Sequence, residues 1–292
     1  MRNRILTFSA VIILLTAPCA HAQKAAIEAF YQGLKYSDQG MRDKAINQFS
    51  IAIRINPNFA EAYTNRGTLY GWEKRFEEAI ADYNEAIKIN AGDVDTYNNR
   101  GRAYFDLGEI DKAIKDYNTA IKLDPNFPLA YSNRGLAYKA QGLFDEAIAD
   151  FTIATQIVPD YVDAFKNRAD AYSFKRMYEK AVEDYGKAIT LVPQYAEAYE
   201  SRGYVYAKLG MYDKAIADYS VVLNSDPKNE DLFYSRAILY EKSGDIVQAV
   251  NDYNRILKLN PDYVYASQNR ARLLKQIGQS ASSQTDPQIG RK

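Results

Sequence analysis

The sequence predicts an all-α array of stacked helical hairpins, and three observations carry that prediction. The string Asn65-Arg66-Gly67 returns as Asn99-Arg100-Gly101, Asn133-Arg134-Gly135, Asn167-Arg168-Ala169, Ser201-Arg202-Gly203, Ser235-Arg236-Ala237 and Asn269-Arg270-Ala271, with one fixed interval between successive arginines. With Gly67 set as position 8 of its unit, position 11 is Tyr in seven units (Tyr36, Tyr70, Tyr104, Tyr138, Tyr172, Tyr206, Tyr240) and position 20 is Ala in the same seven. Position 24 is aromatic throughout, as Phe49, Tyr83, Tyr117, Phe151, Tyr185, Tyr219 and Tyr253. Position 32 is Pro in six units, with Ala91 the exception.

Each element follows from this pattern. On a helix, positions 4, 8 and 11 fall within about 60° of one another, so a first helix shows one stripe of large aromatics around a small residue. The small residue at 8 lets a second helix, carrying Ala at 20 and a ring at 24, approach closely. Glycine inside a helix costs roughly 0.5–1 kcal/mol against Ala, so that approach has to return more. Proline at 32 ends the second helix, because its ring cannot continue the ladder and the preceding residue avoids helical geometry. Sixteen of the 25 tyrosines sit at positions 4, 11 and 24, which assigns most of the aromatic excess to the core.

Gly at 8, Tyr at 11, Ala at 20, Phe or Tyr at 24 and Pro at 32 closely resemble the tetratricopeptide repeat, unit by unit. The resemblance implies a right-handed superhelical solenoid of seven helix-turn-helix units with a concave groove. Those units are 26–59, 60–93, 94–127, 128–161, 162–195, 196–229 and 230–263. A capping helix follows over 264–278, and the Ser/Gln-rich stretch 279–292 reads as a disordered tail.

Ahead of the repeats, Arg2 and Arg4 precede an apolar stretch from Ile5 to Ala17 and then Ala20-His21-Ala22. A basic start, a short apolar middle and small residues at −3 and −1 predict a secretory signal peptide over 1–22. The run is too short to cross a bilayer, which takes about 20 apolar residues. A lipid-anchored alternative through Cys19 is disfavoured by Pro18, where a small residue is wanted. The sequence therefore predicts export, most naturally to a periplasm, since no Asn-x-Ser/Thr acceptor occurs.

Composition narrows function further. The 37 basic residues balance 37 acidic ones, so no basic face is predicted for nucleic acid. The single Cys19 and single His21 both lie in the leader. A mature chain without either has no thiolate nucleophile, imidazole base, disulfide or His/Cys-ligated metal. No catalytic motif appears, no unit carries an insertion and no cofactor is expected, so the reading is not an enzyme.

Positions 2, 6, 9 and 13 lie roughly opposite the core stripe, and in the resembled family that face lines the groove. Position 6 gives a ladder of Asn65, Asn99, Asn133, Asn167, Ser201 and Ser235, whose amides can donate to and accept from an extended backbone. The competing reading is an amide bonded to its own or the neighbouring unit. Tyr31 breaks the ladder in the first unit. Position 9 varies through Thr68, Arg102, Leu136, Asp170 and Tyr204, and position 13 supplies Trp72 and Phe174 as candidate anchors. Acids at position 2 (Glu61, Asp95, Asp163, Glu197, Asp231) suit the helix macrodipole without any ligand.

Arg at 7 recurs with Asp at 23, as in Arg100 with Asp116, and predicts a structural ion pair between helices. The spacing leaves open whether the Asp belongs to the same unit or the preceding one. A carboxylate clamp of the kind some relatives use would need Lys at 5 with Asn at 9; here Lys166 is followed by Asp170, and position 2 is never basic. The function expected is a cell-envelope scaffold that binds a protein or peptide in its groove, with no stable membrane insertion after signal cleavage. The alternative is an assembly component for envelope polysaccharide or protein export that uses its convex face.

Overall fold

The computed structural model describes residues 6–284, with side chains described over 21–278. The chain divides into two compact units, residues 1–157 and 158–292. The N-terminal unit holds α1 (Leu6–Asp38), α2 (Arg42–Ile55), α3 (Ala60–Trp72), α4 (Phe76–Ile89), α5 (Val94–Asp106), α6 (Ile110–Leu123), α7 (Pro128–Ala140) and α8 (Phe144–Ile157). The C-terminal unit holds α9 (Val162–Phe174), α10 (Tyr178–Leu191), α11 (Ala196–Lys208), α12 (Tyr212–Ser225), α13 (Glu230–Ser243), α14 (Ile246–Leu259) and α15 (Val264–Gln284). Among the described residues there is no strand. Within each unit, successive helices pack as hairpins, and each hairpin stacks on the next.

The turn inside each hairpin is set by position 15. Gly40, Gly108, Gly142, Gly210 and Gly244 all take positive φ there, between 71° and 88°. The amide one residue later then reaches back to the position-11 carbonyl, as Glu109 does to Tyr104 at 2.8 Å. The end of the first helix is satisfied in this way. Two units lack the glycine. Lys74 and Arg176 adopt the same left-handed backbone with φ of 60° and 58°. A side chain there is strained, so Lys74→Gly and Arg176→Gly are each expected to stabilise the fold by about 1 kcal/mol. Urea titration followed by circular dichroism checks this, and a lowered midpoint would show that these side chains hold the turn together.

The second helices stop for more reasons than proline. Asn56, the residue before Pro57, is extended at φ −127° and ψ 92°, as a residue preceding proline should be. Asn90 has nearly the same geometry, φ −131° and ψ 92°, although Ala91 follows it. Its side chain accepts from the Gly92 amide at 3.1 Å. Asn56, Asp124, Asp226 and Asn260 make the same turn. An Asx turn at position 31 thus ends the helix even where the proline is missing.

The core runs between the two helices of each hairpin. Ala at positions 20 and 27 is fully buried through the N-terminal unit, as are the position-24 rings of Phe49, Tyr117 and Phe151. A Cβ added to Gly101 would lie 2.7 Å from the Tyr117 ring, and Gly67, Gly135 and Gly203 face their own rings equally closely. Position 8 is therefore small because the position-24 ring lies across it. In the C-terminal unit larger aliphatics take over toward the end, with Val222, Leu232, Leu239, Ile256 and Leu273 in one cluster.

Two expectations need revising. The tyrosines at positions 4 and 11 are mostly half-buried instead of core, because they flank an arginine side chain and not a second apolar layer. The last helix runs past Gly278 to Gln284. A lone glycine weakens a helix without ending it, and no proline follows until Pro287. The rest of the expected tail, 285–292, lies outside the described residues. The leader cleavage expected after Ala22 falls inside α1, and the side chains of 1–20 lie outside the described set. No helix of the described residues is long and apolar enough to cross a membrane.

Candidate functional site

From the second repeat onward, each first helix presents two faces, and the inner one is built around Arg at position 7, where the first repeat carries Gln32. Arg100 donates from Nε and Nη2 to both carboxylate oxygens of Asp116, each at 2.7 Å, so the Asp belongs to the same repeat. This is the bidentate fork that fits a carboxylate best. The remaining Nη1 reaches Asn84 of the preceding repeat at 2.6 Å. Arg66, Arg134 and Arg236 repeat the arrangement with Ser50, Asn118 and Ser220. The guanidinium also lies against the position-4 and position-11 rings, 5.5 Å from Tyr97 and 5.9 Å from Tyr104. These tyrosines clamp a cation on both sides, which is why they stay half-exposed.

Burial pushes the Asp82 and Asp150 carboxyls up, against the pull of Arg66 and Arg134. Burial also works against the Arg66 charge, and the Asp82 carboxylate overcomes it and holds the guanidinium above its ordinary value. At Arg134 the bond to Asp150 is the leading influence and acts in the same direction. Each charge is tolerated out of water only because of the other. No member of these Arg–Asp pairs lines either of the two hollows described next.

The opposite face forms two hollows, one in each unit. In the N-terminal unit a hollow of about 770 Å³ brings together Thr68, Trp72, Asn99 and Arg102 of the predicted groove set. Trp72 is 57% exposed there, so a large apolar ring lies at the surface instead of in the core. Its floor is the Tyr83 ring, which crosses under Gly67 and donates its hydroxyl to Thr68 Oγ1 at 3.3 Å. In the C-terminal unit a hollow of about 940 Å³ collects Asp170, Phe174, Ser201, Tyr204 and Ser235. Phe174 is 67% and Tyr204 49% exposed, and Tyr185 donates its hydroxyl to Asp170 at 2.7 Å. Burial, reinforced by that carboxylate, holds the Tyr185 phenol well above its ordinary range.

The ladder at position 6 is occupied in part by the fold itself. Asn65 donates to the Glu61 carbonyl of its own helix at 2.7 Å. Asn133 donates to Asn98 of the neighbouring repeat at 2.9 Å, and Asn98 is oriented toward Asn99 at 3.5 Å. Asn269, beyond the ladder, bonds the Tyr234 hydroxyl at 3.1 Å. Each amide has a second N–H and a carbonyl with two lone pairs, so one intramolecular bond does not exhaust it. Asn65, Asn133, Asn167 and Leu136 are half-buried and lie outside both hollows.

Sequence reasoning missed several residues in these hollows. Arg42 and Lys74 line the first, Lys166, Arg176 and Tyr178 the second. The signal for Lys74 and Arg176 was present, because each replaces the glycine that five other repeats carry at position 15. Among the described residues no group of His, Cys, Asp or Glu is placed to hold a metal ion.

Family models and solved structures agree with this architecture. A family model described as TPR repeat matches residues 33–71, 101–142, 177–210 and 203–244. Models described as tetratricopeptide repeat match 60–93, 128–161, 82–115 and 230–263. The chain belongs to the tetratricopeptide-repeat family. No curated protein sequence matches it closely. Among solved structures it is similar to a tetratricopeptide repeat protein from Parabacteroides merdae, at 22% identity and a TM-score of 0.61, over 86% of this chain and 99% of that one. It is also similar to YrrB, a TPR protein with an unusual peptide-binding site, at 23% identity and a TM-score of 0.58, over 65% of this chain and 97% of that one. PilW, a type IV pilus biogenesis factor, matches at 19% identity and a TM-score of 0.65, over 71% and 96%. At these identities the likeness is one of fold alone.

Proposed function

We propose that this protein is an exported, non-catalytic scaffold whose concave face holds an extended segment of a partner protein in the cell envelope. The observation that carries the reading is the pair of hollows, each lined by residues that vary from repeat to repeat and each exposing an aromatic ring, Trp72 or Phe174. Both rings keep more than half of their surface in water, and a partner side chain seated on them would remove that area from water. The half-used amides of Asn99 and Asn133 would hold the partner's backbone without regard to its sequence. Export rests on the leader pattern of residues 1–22.

Affinity capture from native envelope extract tests the reading. Trp72→Ala with Phe174→Ala is expected to lose the captured partner, because two exposed anchors go while the buried core is untouched. Asn99→Ala with Asn133→Ala is expected to weaken capture several-fold. Undiminished capture by both double variants would move binding away from the groove, and cross-links confined to second helices would then favour the convex-face role in envelope export.

A further inference from the structure

Repeat positions 13 and 15 depart from the pattern in the same two repeats. Those carrying Trp72 and Phe174 at 13 are the ones that carry Lys74 and Arg176 where all the others have a left-handed glycine. A Cβ built on any of the five glycines meets nothing within 4 Å, so the space beside this turn is open and offers a side chain no packing. Lys74 is exposed and makes no ion pair among the described residues, and Arg42 and Arg102 in the same hollow make none either. Arg42 lies over the Trp72 ring at 5.9 Å, and the only acid lining the hollow is Asp106. The C-terminal hollow is different: Lys166 pairs with Asp170 at 3.3 Å and with Glu197 at 3.5 Å, and Glu200 also lines it. One hollow is neutralised from within and the other is left positive.

We infer that the hollow around Trp72 is an anchor for an acidic stretch of an extended polypeptide. One or two Asp or Glu carboxylates would take the donors of Arg42, Lys74 and Arg102, and a neighbouring apolar side chain would cover Trp72. The inference rests on the reading that the concave face takes polypeptide, and it specifies the chemistry of that partner. A nucleic acid fits less well, because the cations form one compact cluster on a chain of zero net charge instead of a stripe that could follow phosphates.

Trp72 is the chain's single tryptophan, so its fluorescence reports on this hollow alone. The full chain is titrated with three short peptides of common length and common Leu and Phe positions, whose other residues are Asp/Glu, Asn/Gln or Lys, and with a short single-stranded oligonucleotide. The acidic peptide is expected to change Trp72 emission and to bind about tenfold more tightly than the neutral one, an advantage lost in about 0.5 M salt. Lys74→Gly and Arg102→Gln are expected to remove most of that advantage. Because Lys74→Gly restores the residue the turn favours, its thermal midpoint should hold or rise, which separates lost binding from lost folding. Equal binding of acidic and neutral peptides, indifferent to Lys74→Gly, would overturn the acidic preference and leave groove binding in place. Tighter binding of the oligonucleotide would overturn it in favour of phosphate. Failure of every peptide, together with undiminished capture by the Trp72→Ala and Phe174→Ala variant, would remove both readings.

Discussion

Asp116→Ala is expected to destabilise the N-terminal unit by about 3 kcal/mol, more than the loss of any exposed ion pair on the surface. Asp116 is 4% exposed and accepts two hydrogen bonds from one guanidinium. Removing it leaves Arg100 held between Tyr97 and Tyr104 with Nε and Nη2 facing a dry gap, and a buried unpaired charge costs far more than a lost surface contact. The figure sits at the low end of the range for buried pairs because the Arg100 side chain keeps 17% of its surface in water. The damage should also spread, since Nη1 of the same arginine ties the preceding repeat through Asn84, and repeat arrays share stability between neighbours. Replacing both partners, as Arg100→Met with Asp116→Leu, is expected to recover much of the loss. A double-mutant cycle in urea measures the coupling. If Asp116→Ala lowers stability by less than about 1 kcal/mol, the value of an exposed pair, the contact is an ornament of the stack and not its rivet.

That pair also marks how far the sequence could be read. The strict period disclosed the hairpins and the packing roles of positions 8, 20 and 24, because packing leaves a residue-type trace at each of them. It could not say which Asp meets which Arg, since same-repeat and neighbour pairing demand the same residues at the same spacing. The tyrosines at 4 and 11 looked like core because an aromatic stripe at helical spacing is the usual mark of one; the cation they enclose is polar and drops out of an apolar pattern. In the two hollows, Trp72 and Phe174 were legible as aromatics where other repeats carry Asp106 or Lys208. The neighbouring Lys74 and Arg176 were visible only as missing glycines, and their backbone conformation had to be seen to give that gap a meaning. The amide bonds of Asn65 and Asn133 were beyond reach, because one side chain can satisfy its own helix, the next repeat or a ligand with the same chemistry.

Raising the pH above about 10 is expected to unfold the protein through its position-24 tyrosines. Burial first of all pushes the Tyr83 and Tyr219 phenols up to about 12. It pushes those of Tyr117, Tyr185 and Tyr253 higher still, with Asp170 and Glu241 adding to the last two. The ordinary phenol value of about 10 belongs to the unfolded chain. Below it both states keep their protons and the stabilisation is complete. Between that value and the folded-state ones the unfolded chain sheds protons that the folded chain retains, so stability falls steadily as pH rises. Tyr83 and Tyr219 are 3% and 6% exposed. At about 1.4 kcal/mol per pH unit, each contributes roughly 2–3 kcal/mol to this loss by about pH 12. Five such rings together lose about 10–15 kcal/mol, which is comparable to the whole stability of an ordinary domain, so helix content should collapse cooperatively as the buried phenolates appear in the ultraviolet. Phe49 and Phe151 fill the same position without a hydroxyl, so Tyr117→Phe should fold normally and shift the alkaline transition upward. A helical signal that stays level through this range while all 25 phenols ionise would mean that these rings are open to water and that the tight seat on Gly67, Gly101 and Gly203 is wrong.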